Sequence, residues 1–141
     1  MSDPVDHELL AERAAAVRRH LHRVAERLPE DPAQLQPMDD ATDTVILHLW
    51  QALQITIDLA VSHCVRLGLG SPPTYADAFR RLGTAGVISP ELAERMARAA
   101  GFRNVIVHAY ADLDLVRVHA IATEGPGDLL AVLEALRSPN R

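Results

Sequence analysis

Four polar residues in the stretch 103–110 have the side-chain types and the spacing to act on a phosphate group: Arg103, Asn104, His108 and Tyr110. An arginine can hold two phosphate oxygens at once, and a histidine can serve as general acid or general base near neutral pH. Asn104 precedes His108 by one helical turn, where an amide can donate to phosphate or orient the histidine. On an ideal helix Arg103 and His108 are about 7.5 Å apart along the axis and about 140° apart around it. The long arginine side chain would still allow both to approach one phosphate.

A single helix has to position these residues, and the sequence predicts where it begins. Ser89, Pro90 and Glu91 are typical of a helix start, because they supply a cap, a proline in the first turn and an acid facing the positive helix end. The helix is expected to run to about residue 110. Residues at steps of three and four form one of its faces: Leu92, Met96, Ala99, Arg103, Val107 and Tyr110.

This face changes from apolar to polar along its length, and two interpretations of the change remain open. The apolar half is expected to face a hydrophobic core or a partner, where an unpaired arginine would be strongly destabilising. One interpretation is a buried network in which Arg103 pairs with an acid such as Asp58, Asp112 or Asp114. The other is a solvent-filled cleft at the end of a helical bundle or at the seam between two subunits.

Apolar periodicity predicts helices through most of the remaining chain, so the predicted fold class is an all-α, antiparallel bundle of four to six helices. The expected ranges are 6–28, 42–67, 74 to either 83 or 86, 113–123 and 128–137. Gly125, Pro126 and Gly127 are expected to separate the last two helices, with Asp128 as the N-cap of the final one. The helix over 42–67 is apolar around most of its surface, which predicts a central position in the bundle or contact with a second subunit.

The length of 141 residues favours a single domain over residues 1–141. The formal net charge is −5, and all 14 basic residues are arginine, which indicates either phosphate recognition or biased composition. An acidic chain that acts on RNA would need a local basic cleft. The lone Cys64 lies on an apolar helix stripe and is expected in the core. The N-terminal residues do not resemble a signal peptide and no apolar run reaches 18 residues, so a cytoplasmic protein with no membrane contact is expected.

The seven histidines do not form a pattern that would bind a metal. His20 and His22 are two residues apart and point to opposite sides of a helix. His48 and His63 share a stripe but are about 22 Å apart along the helix axis. No glycine-rich loop of the kind that binds nucleotides is present either. We therefore expect neither a metal nor a cofactor.

The stretch Arg103-Asn104-Val-Ile-Val-His108-Ala-Tyr110 resembles the Arg-x-x-x-x-His-x-Tyr motif of the HepT toxins, which are small helical ribonucleases of the HEPN superfamily. The resemblance extends to the flanks: SPPTYADAFRRLG at 71–83, GVISPELA at 86–93, and the acids Asp112 and Asp114 all match that family in order and spacing. One departure is visible. Family members often have an acid before the tyrosine and an aromatic residue after it, where this chain has Ala109 and Ala111.

The resemblance implies a metal-independent endoribonuclease toxin of a toxin–antitoxin pair, acting as a homodimer with a composite cleft for RNA. It assigns Arg103 and His108 to catalysis and Asn104 to holding the substrate or orienting the histidine. It also implies that a cognate MntA-like nucleotidyltransferase antitoxin transfers AMP to Tyr110, although an ordinary cleft-lining tyrosine is the alternative. Two other functions stay open: a non-catalytic helical subunit that binds substrate for a nucleotidyltransferase, and a dimeric helical interaction protein.

Overall fold

Five α-helices make up most of residues 4–137, the part of the chain that the computed structural model describes. They are α1 (Pro4–Arg27), α2 (Asp40–Arg66), α3 (Tyr75–Thr84), α4 (Pro90–Ala109) and α5 (Leu115–Arg137). Short 3-10 turns cover Pro32–Gln34 and Tyr110–Asp112. The described residues contain no β-strand, so the prediction of an all-α fold is confirmed.

Two helices begin at the residues that the sequence predicts. The Thr74 hydroxyl accepts a hydrogen bond of 3.1 Å from the backbone N–H of Asp77 at the start of α3. The Ser89 hydroxyl accepts one of 3.1 Å from the N–H of Leu92, with a proline in the first turn of α4. Each cap satisfies a backbone donor that the helix itself leaves without a partner.

The long helix α2 is the centre of the bundle, as its apolar surface predicts. It contacts each of the other four helices. By length and composition alone it would also be apolar enough to cross a membrane, but 44% of its most apolar window is buried inside the protein. Its buried positions are Thr42, Val45, Ile46, Leu49, Ala52, Leu53, Thr56, Ile57, Ala60 and Cys64.

The core around α2 is mainly aliphatic and receives side chains from all five helices. Val17 and Val24 enter from α1, Phe79 from α3 and Phe102 from α4. Cys64 is fully buried, its thiol donates to the Ala78 carbonyl at 3.3 Å, and burial raises the pKa of the thiol. This confirms the expectation that Cys64 is a core residue.

The prediction of two short helices at the C-terminal end is wrong, because α5 runs unbroken from Leu115 to Arg137 with Pro126 in its interior. Proline removes one backbone donor and normally interrupts a helix. Here Ala122 and Leu129, on either side of Pro126, are both buried against the same core, and we attribute the continuous helix to this burial. Asp128 is not a cap: it accepts hydrogen bonds of 3.1 and 3.2 Å from Nε of Arg95.

Candidate active site

The buried face of α4 decides which of its side chains point outward. Phe102 and Ile106 are 1% and 4% exposed and anchor the C-terminal half of the helix to the core. The residues between and beyond them therefore turn toward the surface, and Asn104, Val107 and His108 are all exposed. The cluster predicted from the sequence thus lies on an open surface, which favours the cleft interpretation over a dry, buried network.

Arg103 is half-buried and is held by α2 and by its own neighbour. Its Nε donates to Oε1 of Gln54 at 2.5 Å, and one terminal nitrogen, Nη1, donates to Oδ1 of Asn104 at 3.1 Å. The guanidinium carbon lies 5.2 Å from the centre of the Tyr75 ring, within the range of a cation–π contact. These contacts fix the direction of the side chain and leave Nη2 without a hydrogen bond to any described residue.

The acids that the sequence offered as partners of Arg103 do not bind it directly. Asp58 accepts a 2.9 Å hydrogen bond from Nε2 of Gln54, so it acts on Arg103 only through that amide. Asp114 caps α5 instead, accepting from the backbone N–H of Val116 at 3.1 Å. Gln54 therefore links the Arg103 guanidinium to the Asp58 carboxylate through hydrogen bonds. Arg103 itself forms no direct ion pair with any described acid.

His108 is exposed on the same helix, and its ring makes no hydrogen bond to any described residue. It lies one turn after Asn104, as predicted. The described hydrogen bond of Asn104, however, is the one with Arg103 rather than one with the histidine. The arrangement leaves the imidazole accessible to a ligand from solvent.

Tyr110 follows directly after α4 and connects this helix to the first turn of α2. Its hydroxyl donates a 2.6 Å hydrogen bond to Oδ1 of Asp43. Partial burial, then this hydrogen bond, then the charge of Asp43 raise the pKa of Tyr110 to about 12. The hydroxyl is therefore directed at a carboxylate and keeps its proton to higher pH than an ordinary tyrosine does.

A surface groove of about 500 Å³ lies between α2 and α4 beside this tyrosine. Its walls include Leu47, Trp50, Val107 and Tyr110. Leu47, Val107 and Tyr110 are 47%, 44% and 48% exposed, so the protein presents large apolar groups to solvent next to the polar cluster. The indole Nε1 of Trp50 is buried without a hydrogen-bond partner among the described residues.

Three residues of this site were not assigned to it from the sequence: Asp43, Gln54 and Tyr75. Gln54 lies with Asp58 in a line of polar residues along an otherwise apolar α2. This polar line is the one feature of the sequence that could have indicated a role for Gln54. No comparable pattern in the sequence indicates Asp43 or Tyr75, because the packing of the helices alone brings these residues to the site. Within residues 4–137 no three histidine, cysteine or acidic side chains are close enough together to hold a metal ion.

These features define a small helical protein in which one helix carries a half-buried arginine and an exposed histidine. The family described as Ribonuclease HepT-like matches residues 15–136, and the chain belongs to this family. Among characterised proteins, it is 27% identical over 115 residues to the mRNA nuclease HepT of Shewanella oneidensis, covering 81% of this chain and 86% of that protein. It is also 38% identical over 61 residues to the tRNA nuclease HepT of Aphanizomenon flos-aquae, covering 43% and 42% of the two chains.

Solved structures of related toxins share this fold. The tri-AMPylated HEPN toxin of Shewanella oneidensis in complex with MNT antitoxin superposes with a TM-score of 0.81 at 25% identity, over 97% of this chain and 98% of that chain. A toxin–antitoxin structure with AMP-PNP gives a TM-score of 0.80 at 24% identity, over 96% and 99% of the chains. The HEPN-like helical bundle expected from the sequence is confirmed.

Proposed function

We propose that this protein is a metal-independent endoribonuclease, the toxin of a toxin–antitoxin pair, acting in the cytoplasm as one helical domain over residues 1–141. Membership of the HepT-like ribonuclease family, and two relatives named as mRNA and tRNA nucleases, support ribonuclease activity over the alternative of a non-catalytic subunit. The observation that carries the site assignment is that one continuous helix carries both an exposed His108 and a half-buried Arg103 whose Nη2 has no hydrogen bond to a described residue.

RNA supplies its own nucleophile, so the protein has to move protons and stabilise charge. The 2′-oxygen attacks phosphorus, the bond from phosphorus to the 5′-oxygen breaks, and a 2′,3′-cyclic phosphate and a 5′-hydroxyl result. One group must take the 2′-hydroxyl proton and another must protonate the 5′-oxygen. His108 can perform either step, and the guanidinium of Arg103 can bind the phosphate oxygens as negative charge develops on them.

The hydrogen bonds around Arg103 suit this role. Gln54 holds Nε of the guanidinium, Asn104 holds Nη1, and Tyr75 lies against its face. A charged group held in advance stabilises a transition state without reorganising during the reaction. We assign Asn104 to positioning Arg103 and, with it, the phosphate.

We propose that the active form is a homodimer, in which two α4 helices face each other across one cleft. One His108 per chain is few for two proton transfers, and a two-fold axis brings a second His108 and a second Arg103 to the same site. The exposed Leu47 and Val107 beside the groove are the kind of apolar surface that a second copy would cover.

We propose that an MntA-like nucleotidyltransferase partner inactivates the protein by transferring AMP to Tyr110. The related Shewanella toxin was solved in AMPylated form with an MNT antitoxin. Tyr110 is 48% exposed, so an enzyme could reach it, and it follows Arg103 and Val107 on the same helical face, which would place the new phosphate on the side of the helix that carries Arg103. The added negative charge would compete there with the phosphate of RNA.

The experiment compares the purified wild type with His108→Ala and Arg103→Ala on total tRNA and on an mRNA transcript, in buffer containing EDTA. His7→Ala is the matched control, because His7 is an exposed histidine on α1. We expect cleavage by the wild type and by His7→Ala, and loss of cleavage in the other two with the oligomeric state unchanged. Equal cleavage by all four proteins would show that Arg103 and His108 do not form the active site. Loss of wild-type activity in EDTA would contradict metal independence.

A further inference from the structure

A second groove, of about 670 Å³, lies between α1 and α2 and is lined mainly by basic and imidazole side chains. The lining residues are Arg18, Arg19, His20, His22, Arg23, Glu26 and His48. All except His48 belong to α1. The described parts of α1 and α4 do not contact each other, and both pack on α2. This groove is therefore separate from the cluster of Arg103 and His108.

Its floor is a pair of histidines that the sequence does not place together. Nδ1 of His20 and Nδ1 of His48 are 2.9 Å apart, and the ring centres are 5.2 Å apart with a 35° tilt. At this distance one nitrogen must carry the hydrogen and the other must accept it. Burial comes first in lowering the pKa of both rings. The charge of His48 and then that of Arg19 add to the effect on His20, and the charge of Arg23 adds to the effect on His48.

The groove has a surplus of positive charge. Three arginines face one carboxylate, and Glu26 lies 3.8 Å from both His22 and Arg23. Arg18 and Arg19 form no ion pair with any described residue and are exposed. In a chain whose net charge is −5, such a local surplus marks a place where an anion would be attracted.

A metal cation and an anion are the two ligands that such a groove could take, and the charges favour the anion. Two imidazole nitrogens 2.9 Å apart could both reach one transition metal. However, three neighbouring guanidinium groups repel a dication, and no third histidine, cysteine or acid completes a metal site among the described residues. The same guanidinium groups form paired hydrogen bonds to phosphate, and both they and imidazole rings can stack on bases.

We propose that this groove binds the phosphodiester backbone of single-stranded nucleic acid. Arg18 and Arg23 are about 7.5 Å apart along the axis of α1, so they can contact neighbouring phosphates of one strand rather than a single phosphate. Binding here would hold RNA against the α1 side of the bundle while another part of the strand reaches α4. That last role rests on the proposed ribonuclease function, whereas the binding itself does not.

The test uses fluorescently labelled single-stranded DNA, which lacks the 2′-hydroxyl and so separates binding from cleavage. Affinity is measured by fluorescence anisotropy across a series of salt concentrations for the wild type and two double variants. Arg18→Gln/Arg19→Gln removes the two groove arginines that have no described ion pair. Arg13→Gln/Arg27→Gln changes the net charge equally on the same helix, outside the groove.

For the groove variant we expect weaker binding and a logarithmic salt slope smaller in magnitude by about 1.4, at about 0.7 for each lost contact to a single strand. The control variant should retain the wild-type slope. Equal slopes in the two double variants would overturn the proposal, whether or not the wild type cleaves RNA. So would tight zinc binding by a wild type that shows no affinity for the oligonucleotide.

Nuclear magnetic resonance titration of the histidines distinguishes a strand from free phosphate. The charged and titratable groups that face the pair are Arg18, Arg19, His22, Arg23 and Glu26. A bound anion would offset the arginine charges, so the oligonucleotide should raise the pKa of His20 and His48 and bind more tightly at pH 6 than at pH 8. Inorganic phosphate at the same phosphate concentration should have a much smaller effect. An equal effect of both would overturn the assignment to a strand.

Discussion

The hydroxyl of Tyr110 donates a 2.6 Å hydrogen bond to Asp43, joining the end of α4 to the first turn of α2 across 67 positions of sequence. This contact ties the residue proposed for AMP transfer to the helix at the centre of the bundle. It also gives the hydroxyl a defined direction and a raised pKa, both of which can be measured.

Replacing Asp43 should lower the pKa of Tyr110. Asp43→Asn removes the carboxylate charge but keeps an oxygen that can accept the hydrogen bond, so the pKa should fall from about 12 while staying above its ordinary value of about 10, because partial burial remains. Ultraviolet absorbance of the tyrosinate during a pH titration measures this, with Tyr110→Phe identifying the signal of Tyr75. An unchanged titration in Asp43→Asn would show that the carboxylate does not act on Tyr110.

The same contact predicts how stability depends on alkaline pH. Since the folded protein holds the Tyr110 proton more tightly than the unfolded chain does, its stabilising contribution is fully present below about pH 10 and is lost as the pH rises toward about 12. Urea unfolding of the wild type should show a steeper loss of stability across this interval than unfolding of Tyr110→Phe. Parallel curves for the two proteins would contradict the raised pKa.

Loss of the Gln54 side chain should impair catalysis without removing a proposed catalytic group. Gln54→Ala deletes the acceptor of the Arg103 Nε hydrogen bond. Hydrogen bonds to charged groups contribute about 1.5–3 kcal/mol, so RNA cleavage should fall at least roughly tenfold, though less than in Arg103→Ala. Gln51→Ala, on the same helix and also half-buried, is the control and should cleave like the wild type. Equal rates in the two glutamine variants would mean that Gln54 does not position Arg103.

A charge placed in the apolar wall of the α2–α4 groove should prevent dimer formation. Leu47→Asp puts a carboxylate on the surface proposed to meet a second copy, and we expect a monomer with no cleavage. Val65→Asp is the control, because Val65 is 56% exposed on the same helix but about 27 Å further along its axis. Sedimentation velocity and RNA cleavage are measured on both. A Leu47→Asp protein that remains dimeric and active would exclude this surface as the interface.

The interior proline of α5 gives a prediction for stability. Pro126→Ala restores a backbone donor within the helix and should raise the free energy of unfolding by about 1–3 kcal/mol. Pro90 occupies the first turn of α4, where proline is well tolerated, so Pro90→Ala should change stability by no more than about 0.5 kcal/mol. Urea denaturation of the three proteins tests this. No gain in Pro126→Ala would mean that α5 accommodates the proline without cost.

Features set by neighbouring residues could be predicted from the sequence, and features set by packing could not. The caps at Thr74 and Ser89 are formed within three residues of each helix start, so composition and spacing reveal them. The outward position of His108 follows from helical periodicity together with the burial of Phe102 and Ile106.

Contacts between residues far apart in the sequence could not be predicted, because periodicity shows which face of a helix is apolar but not which helix covers that face. The bond between Arg103 and Gln54 spans 49 positions, and the bond between His20 and His48 spans 28. The continuity of α5 could not be predicted for the same reason. The sequence around Pro126 favours a break, but burial of the helix on both sides of Pro126 keeps it continuous. The side chains that contact the candidate site residues could therefore be identified only from the structure.

Trp50 is the only tryptophan in the sequence, and it forms part of the wall beside Tyr110. Indole emission from the unlabelled protein consequently originates at a single known point, and its wavelength depends on how much water surrounds that ring. Attachment of a nucleotide to Tyr110 or the arrival of a second subunit at this wall would displace that water. Both events can therefore be followed in real time as a blue shift in intrinsic fluorescence.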